Sequence, residues 1–191
     1  EFRRVLFRSN QKFQSLLDIS FNDYKNFGKI IIEVFPSVTS NKDEKFINYD
    51  EKKESFYHIY LNNDSEELQM NFIKRFFYKK NYISRRDNIK KIRKEIDKKI
   101  KSLKGLFEDC VCLKKIKFIE FNNAHITDMS DMFSGCLSLI NLDILNVNTE
   151  KVKNMENMFK MCKKLKKLDL QNFKTNNVVN MNGMFYYCNA L

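Results

Sequence analysis

The cysteines are the residues whose type and spacing first suggest chemistry. Four of the five recur at intervals of 26 residues, and only Cys110 and Cys112 lie close together in the chain. A zinc site needs a second such pair or nearby histidines, and a disulfide needs Cβ atoms about 3.8 Å apart. The outer sides of adjacent repeat copies are farther apart than that. We therefore expect no bound metal and no cofactor, and reduced, buried thiols at Cys110, Cys136, Cys162 and Cys188.

Other side chains that could catalyse a reaction are few. The two histidines are isolated: His58 falls among aromatic residues in a predicted strand, and His125 falls at a variable loop position. Asp143 and Asp169 occupy equivalent positions in successive copies, and paired carboxylates can act as acid and base, but the preceding copy has Lys117 there. The chain has no glycine-rich phosphate loop and no zinc-protease or serine-hydrolase motif. We expect a non-enzymatic protein without catalytic residues.

A repeat of 26 residues must position these side chains. Met129, Met132, Phe133 and Cys136 have the spacing of one helix face, and the alternation that follows at 142 and 144 predicts a short strand. A strand and a short helix in this period fall within the leucine-rich-repeat range. We therefore expect an α/β repeat fold over 91–191, a leucine-rich-repeat solenoid whose rungs combine a strand with a short helix. The recurring positions are Phe107, Phe133, Phe159 and Phe185; Leu113, Leu139, Leu165 and Leu191; and Ile100, Ile126, Val152 and Val178.

The motif itself resembles a known family. The segments 126–139, 168–178 and 178–188 are similar to the repeat of BspA-like leucine-rich-repeat surface proteins, and the resemblance covers about 100–191. It implies a non-enzymatic repeat protein, often on the cell surface, of bacteria or unicellular eukaryotes, with a role in adhesion and protein binding. The first copy departs from the pattern, with Leu103 and Leu106 where later copies have methionine, as terminal repeats often do.

The rest of the chain divides into two parts. Residues 1–9 resemble the translation of a sequencing adapter, and we expect them to be foreign to the natural protein. Residues 10–90 predict a small α+β region, with degenerate repeats as the alternative. Within it, 29–35 and 56–61 predict strands and 66–78 an amphipathic helix. Because Leu191 would begin the strand of a further rung, we expect a truncated array whose exposed apolar end self-associates.

Composition and charge limit the class of protein. The 191 residues are 43% apolar and 31% charged, which is typical of a soluble globular chain, and no apolar run is long enough to span a membrane. The net charge of +11 is densest between 85 and 101. This stretch could bind nucleic acid or an anionic surface, but it lacks interleaved aromatic residues. We favour a solvated helix or linker and do not expect nucleic acid as the partner. Its candidate residues are Arg85, Arg86, Lys90, Lys91, Arg93 and Lys94.

The exposed side of the predicted strands is the candidate binding face. Side chains that flank the buried positions of each strand point outward and form three columns across successive copies. Repeat proteins use such faces to recognise partners, although an ordinary solvated face is the alternative. We expect an unknown protein ligand here, with Ile119 and Leu145 as anchors. The resemblance places the protein at the cell surface or outside the cell, and a cytoplasmic scaffold stays open. The columns are Lys115, Asn141 and Lys167; Lys117, Asp143 and Asp169; and Ile119, Leu145 and Gln171.

Overall fold

The computed structural model describes residues 30–38, 42–48, 57–61, 82–83, 89–96, 100–122 and 125–191. Residues 1–9, the helix expected over 66–78, and Arg85 and Arg86 lie outside these ranges. Within them, no helix is long and apolar enough to cross a membrane. The described strands are β1 (Ile30–Pro36), β2 (Glu44–Lys45), β3 (Tyr57–Leu61), β4 (Tyr82–Ile83), β5 (Ile92–Ile96), β6 (Leu113–Phe121) and β7 (Asn141–Asp143).

Five of these strands form one mixed sheet in the order β3-β5-β1-β6-β7, and β2 pairs separately with β4. β1 runs antiparallel to both β5 and β6, whereas β6 and β7 are parallel. The strands predicted over 29–35 and 56–61 are confirmed as β1 and β3. Ile30, Ile32 and Val34 alternate along β1 and pack into the core, which explains why a β-branched run forms a strand here.

The basic stretch contributes a strand to this sheet. The expectation of a solvated helix or linker is wrong at 92–96, because β5 lies between β3 and β1 and buries Ile92 and Ile96. The alternative of degenerate repeat copies over 10–90 is also wrong for β1, since β1 runs antiparallel to β5 and β6 and the repeat copies are parallel to one another. The sheet thus contains strands from both sides of the boundary expected at residue 90.

The 26-residue copies do stack on one another. Parallel bridges join equivalent positions, from Ser102 to Asp128, then to Asn154 and to Asn180. The equivalent phenylalanine rings stack in the core, with centroids 5.7, 5.6 and 5.5 Å apart in the three successive pairs. Strand structure fades along the stack: where the first two copies have β6 and β7, the third copy has only a bridge from Lys167 to Asn141.

The leucine-rich-repeat solenoid with a helix in each rung is wrong, because the described residues contain no helix. Two consecutive four-residue turns replace it. The N–H of Met132 donates to Met129 O and the N–H of Cys136 to Phe133 O, at 3.3 and 3.2 Å. The third residue of each turn has a positive φ, 56° at Asp131 and 71° at Gly135. These are the features of type II turns.

Hydrogen bonds between copies explain why turns replace a helix. A helix would direct each N–H to the carbonyl four residues earlier. Here the N–H of Asp131 donates to Glu156 O and that of Gly135 to Lys160 O in the next copy, both at 2.8 Å. The turns place apolar residues at the same spacing as a helix does over eight residues. Positive φ recurs at both turn positions of every copy: Gly105 and Asp109, Asp131 and Gly135, Asn157 and Met161, and Gly183 and Tyr187.

A loop next to β2 caps the first copy. The backbone N–H of Asn48 donates to Leu106 O at 2.8 Å. Its side-chain Nδ2 donates to Gly105 O and Glu108 O at 2.8 and 2.6 Å. The preceding Phe46 is buried. At Leu106 O and Glu108 O, Asn48 therefore takes the place of the copy before, whose N–H groups donate to the equivalent carbonyls of Met132 and Ser134.

The opposite edge of the stack is uncapped within the described residues. The N–H groups of Met181, Gly183, Phe185 and Tyr187 have no backbone acceptor there. The side chains of Met181, Phe185 and Tyr187 are about half exposed. Self-association through this edge stays a prediction. Because the consecutive turns present donors at this edge, two such segments cannot pair with each other through these N–H groups.

The variant Gly135→Ala distinguishes the two consecutive turns, which we call the double turn, from a helix. In a helix interior this change would stabilise the fold by about 1 kcal/mol. Here the positive φ disfavours alanine, and the added Cβ would collide with the Asp109 carboxylate. We expect urea denaturation to show a free energy of unfolding lower by about 1–2 kcal/mol. The companion Asp131→Gly should be neutral or stabilising, and a stabilising Gly135→Ala would contradict the turns.

Asn48→Ala tests the cap. It removes the two side-chain donors to Gly105 O and Glu108 O and keeps the backbone bond to Leu106 O, and we expect it to lower the free energy of unfolding by about 1–3 kcal/mol. The matched control is Asn146→Ala, which removes two longer, 3.3 Å amide-to-carbonyl bonds at an exposed site. The control should lose under about 1 kcal/mol. Equal losses in thermal or urea unfolding would show that Asn48 has no special role.

Candidate functional site

The first column of the predicted binding face is formed as expected. Parallel pairing of β6 with β7 places Lys115 beside Asn141, and a further bridge places Lys167 beside Asn141. All three side chains are exposed. Because neighbouring strands lie about 4.8 Å apart, the backbones at Lys115 and Lys167 lie about 10 Å from each other.

The second column is partly neutralised by its own charges. Lys117 Nζ lies 3.7 Å from Asp143 Oδ2, and both side chains are about 40% exposed (41% and 38%). Asp169 is exposed, and its Oδ1 accepts the backbone N–H of Gln171 at 3.0 Å. Each carboxylate thus has a structural partner, and the column offers little net charge to a ligand.

The third column lies where the strands end. Ile119 is half-buried at a β-bulge, since β1 pairs with Phe118 and Glu120 on either side of it. Leu145 is 38% exposed and Gln171 is exposed. Asparagine side chains hold this region in register: Asn146 Nδ2 donates to Ile119 O, and an equivalent bond in the next copy holds Leu145 O. The nine predicted residues therefore share one face, which we call the recognition face.

β1 extends this face with residues that the sequence analysis missed. Phe35 pairs with Lys115, whose Nζ lies 5.2 Å from the Phe35 ring centroid. Glu33 pairs with Lys117 across the strands and forms a 3.2 Å ion pair with Lys91. The alternation of Glu33 and Phe35 with the apolar residues Ile32 and Val34 could have placed them on the outer side of a strand. Nothing in the sequence indicated that β1 lies beside β6.

The described residues of the predicted basic patch lie in β5 and directly before it. Lys91 pairs with Glu33, and Arg93 lies opposite Glu33 in the centre of the sheet. Lys94 is at a register position opposite Ile32, and Lys90 is exposed. A phosphate backbone would need unpaired charges side by side on one surface, and in the described part of this stretch Lys91 is already paired with Glu33.

Within the described ranges, the histidines and acidic residues form no metal site. His58 lies in β3 opposite Glu95, and His125 lies in a turn. Across the residues that the structure describes, no group of three His, Cys, Asp or Glu side chains could hold a metal ion.

In the cysteine ladder, Cys110, Cys136 and Cys162 are buried, as predicted, whereas Cys188 is half-buried, and all four thiols are free. From the second copy onward, each Sγ donates to the phenylalanine carbonyl of the copy before: Cys136 to Phe107 O at 3.1 Å, Cys162 to Phe133 O at 3.2 Å and Cys188 to Phe159 O at 2.8 Å. Burial raises the pKa of Cys162 to about 12, and it raises the pKa of Cys136 well above its ordinary value. Protonated thiols of this kind are poor nucleophiles, so the ladder serves packing.

These features define a repeat protein with an exposed, charged sheet face beside its stack. Residues 87–191 match the family described as Mycoplasma protein of unknown function, DUF285, and since the match covers more than half of the chain, the chain belongs to that family. No curated protein and no solved structure is significantly similar to it.

The raised thiol pKa predicts a loss of stability in alkali. The pKa of the Cys162 thiol is 9.0 in the unfolded chain, and burial raises it to about 12 in the folded protein. The contribution of this thiol to the free energy of unfolding is therefore complete below the unfolded-state pKa, and it declines as the pH rises toward the folded-state pKa. Between pH 7 and pH 10, wild type should lose about 1.4 kcal/mol more of its free energy of unfolding than Cys162→Ala, which lacks this titration. Equal losses in urea unfolding would contradict a buried thiol.

Proposed function

We propose that the chain is a non-enzymatic protein-recognition module that binds its partner through the recognition face. The observation that carries this proposal is the alignment of exposed side chains of mixed type on one flat surface, fixed by strand register. Lys115 and Lys167 supply charge, Asn141 supplies hydrogen bonds, and Leu145 supplies an apolar centre. Such combinations suit protein interfaces, whose apolar core is surrounded by a polar rim.

A surface or extracellular location is part of the same proposal. It is supported by the resemblance of 100–191 to BspA-like surface proteins, whose members act in adhesion. A cytoplasmic scaffold is the alternative location. The free thiols are compatible with either, because their burial protects them from oxidants as well as from metals.

Binding to cultured animal cells tests the proposal. We expect the labelled chain to bind saturably and the binding to fall after trypsin treatment of the cells, because the receptor is a protein. The double variant Leu145→Asp with Lys167→Glu should weaken binding about tenfold or more, since it removes an apolar contact and reverses a charge at the centre of the face.

The matched control carries the same two changes away from the face, Val179→Asp with Lys151→Glu, at exposed positions. Its binding should stay within about twofold of wild type, as is usual for residues outside an interface. Absence of saturable binding, resistance to trypsin or an equal loss in the control would overturn the proposal.

A further inference from the structure

A second exposed surface lies where each copy turns from its double turn into its strand. The N–H of Leu139 donates to Cys136 O and that of Leu165 to Cys162 O, at 3.1 and 3.2 Å, and these bonds form the corner. One exposed position precedes the buried leucine by two residues and another follows it directly. The stack aligns them in two columns, which we call the corner patch: Val111, Leu137 and Lys163, and Lys114, Ile140 and Lys166.

The corner patch concentrates exposed apolar side chains. Val111, Leu137 and Ile140 are 38%, 36% and 37% exposed. Among the described residues before 179, the only other large apolar side chains this exposed are Tyr82 and Leu145. The N–H of Ile140 donates to Lys114 O at 2.9 Å, so the copies are in direct contact here. Clustered apolar exposure marks an interaction site more than scattered exposure does.

The lysines around this apolar centre are uncompensated. Lys114, Lys163 and Lys166 are exposed and form no ion pair with the described residues, in contrast to Lys117 on the recognition face, which pairs with Asp143. The segment 160–167 holds five lysines and no acidic residue. The patch is therefore positive at its edges and apolar at its centre.

This combination selects one class of partner. The corner patch contains no aromatic residue on which bases could stack, and a polysaccharide would leave its apolar centre uncovered. Side chains that are two-thirds buried do not project far enough to enter a bilayer. We infer that the corner patch binds an acidic polypeptide segment whose carboxylates pair with the lysines and whose apolar side chains cover Val111, Leu137 and Ile140. This inference rests on the proposed function in that the partner is a protein.

The experiment measures binding of a fluorescent peptide of about twelve residues that alternates Glu and Leu, by anisotropy with the full chain. We expect this peptide to bind at least about threefold more tightly than a poly-Glu peptide of equal length, and we expect its affinity to fall as salt is added. Lys163→Glu with Lys166→Glu should reduce its affinity about tenfold or more. Ile140→Ser should reduce it toward that of poly-Glu and leave poly-Glu binding unchanged, because only the apolar contact is lost.

The charge-matched control is Lys151→Glu with Lys153→Glu, which alters two exposed lysines of the same copy outside the patch. An equal loss of peptide affinity in this control would show that the effect depends on net charge alone, and it would overturn the inference. Tighter binding of heparin or of phosphatidylserine vesicles through the same lysines would also overturn it. If the peptide does not bind while cell binding still depends on Leu145 and Lys167, this inference fails and the proposed function stands. Peptide binding without cell binding gives the reverse result.

Discussion

Hydrogen bonds from alternate N–H groups of one copy to carbonyls of the next determine the rest of this structure. At each interface four such bonds run in one direction, such as Phe133 N to Met158 O at 2.9 Å. Alternate N–H groups can point the same way only if the residues of the turns alternate in conformation, which explains the positive φ of Asp131 and Gly135. Because every copy relies on its neighbour for acceptors, a single copy has no stable fold of its own.

The surface follows from the way these copies stack. A fixed register places residues 26 apart in columns, so each column of the two candidate surfaces takes one residue from each copy. The two surfaces differ in how their charges are used. On the recognition face, Lys117 and Asp143 satisfy each other, and Lys115 lies over Phe35. On the corner patch the lysines have no such partner among the described residues, and their charge is available for an acidic ligand.

The sequence predicted the period, the buried positions and the columns, because these depend on residues that recur in register. It did not distinguish turns from a helix, since two four-residue turns and two helical turns place Met129, Met132, Phe133 and Cys136 alike over so short a segment. It also missed the pairing of β1 with β6 and the Asn48 cap. Those contacts join segments with no shared pattern, and only tertiary packing decides between a solvated basic segment and the buried strand β5.

The choice of cysteine in the ladder follows from the carbonyls that it contacts. Phe133 O accepts the N–H of Cys136 within its turn and the Sγ of Cys162 from the next copy, which uses both lone pairs. Alanine at 162 would leave the second lone pair without a donor. Serine would donate, but burying its hydroxyl in an apolar stack costs more than burying a thiol, which is both a weak donor and a hydrophobic group. Because burial raises the pKa of this thiol to about 12, it remains protonated and keeps donating wherever the fold itself is stable.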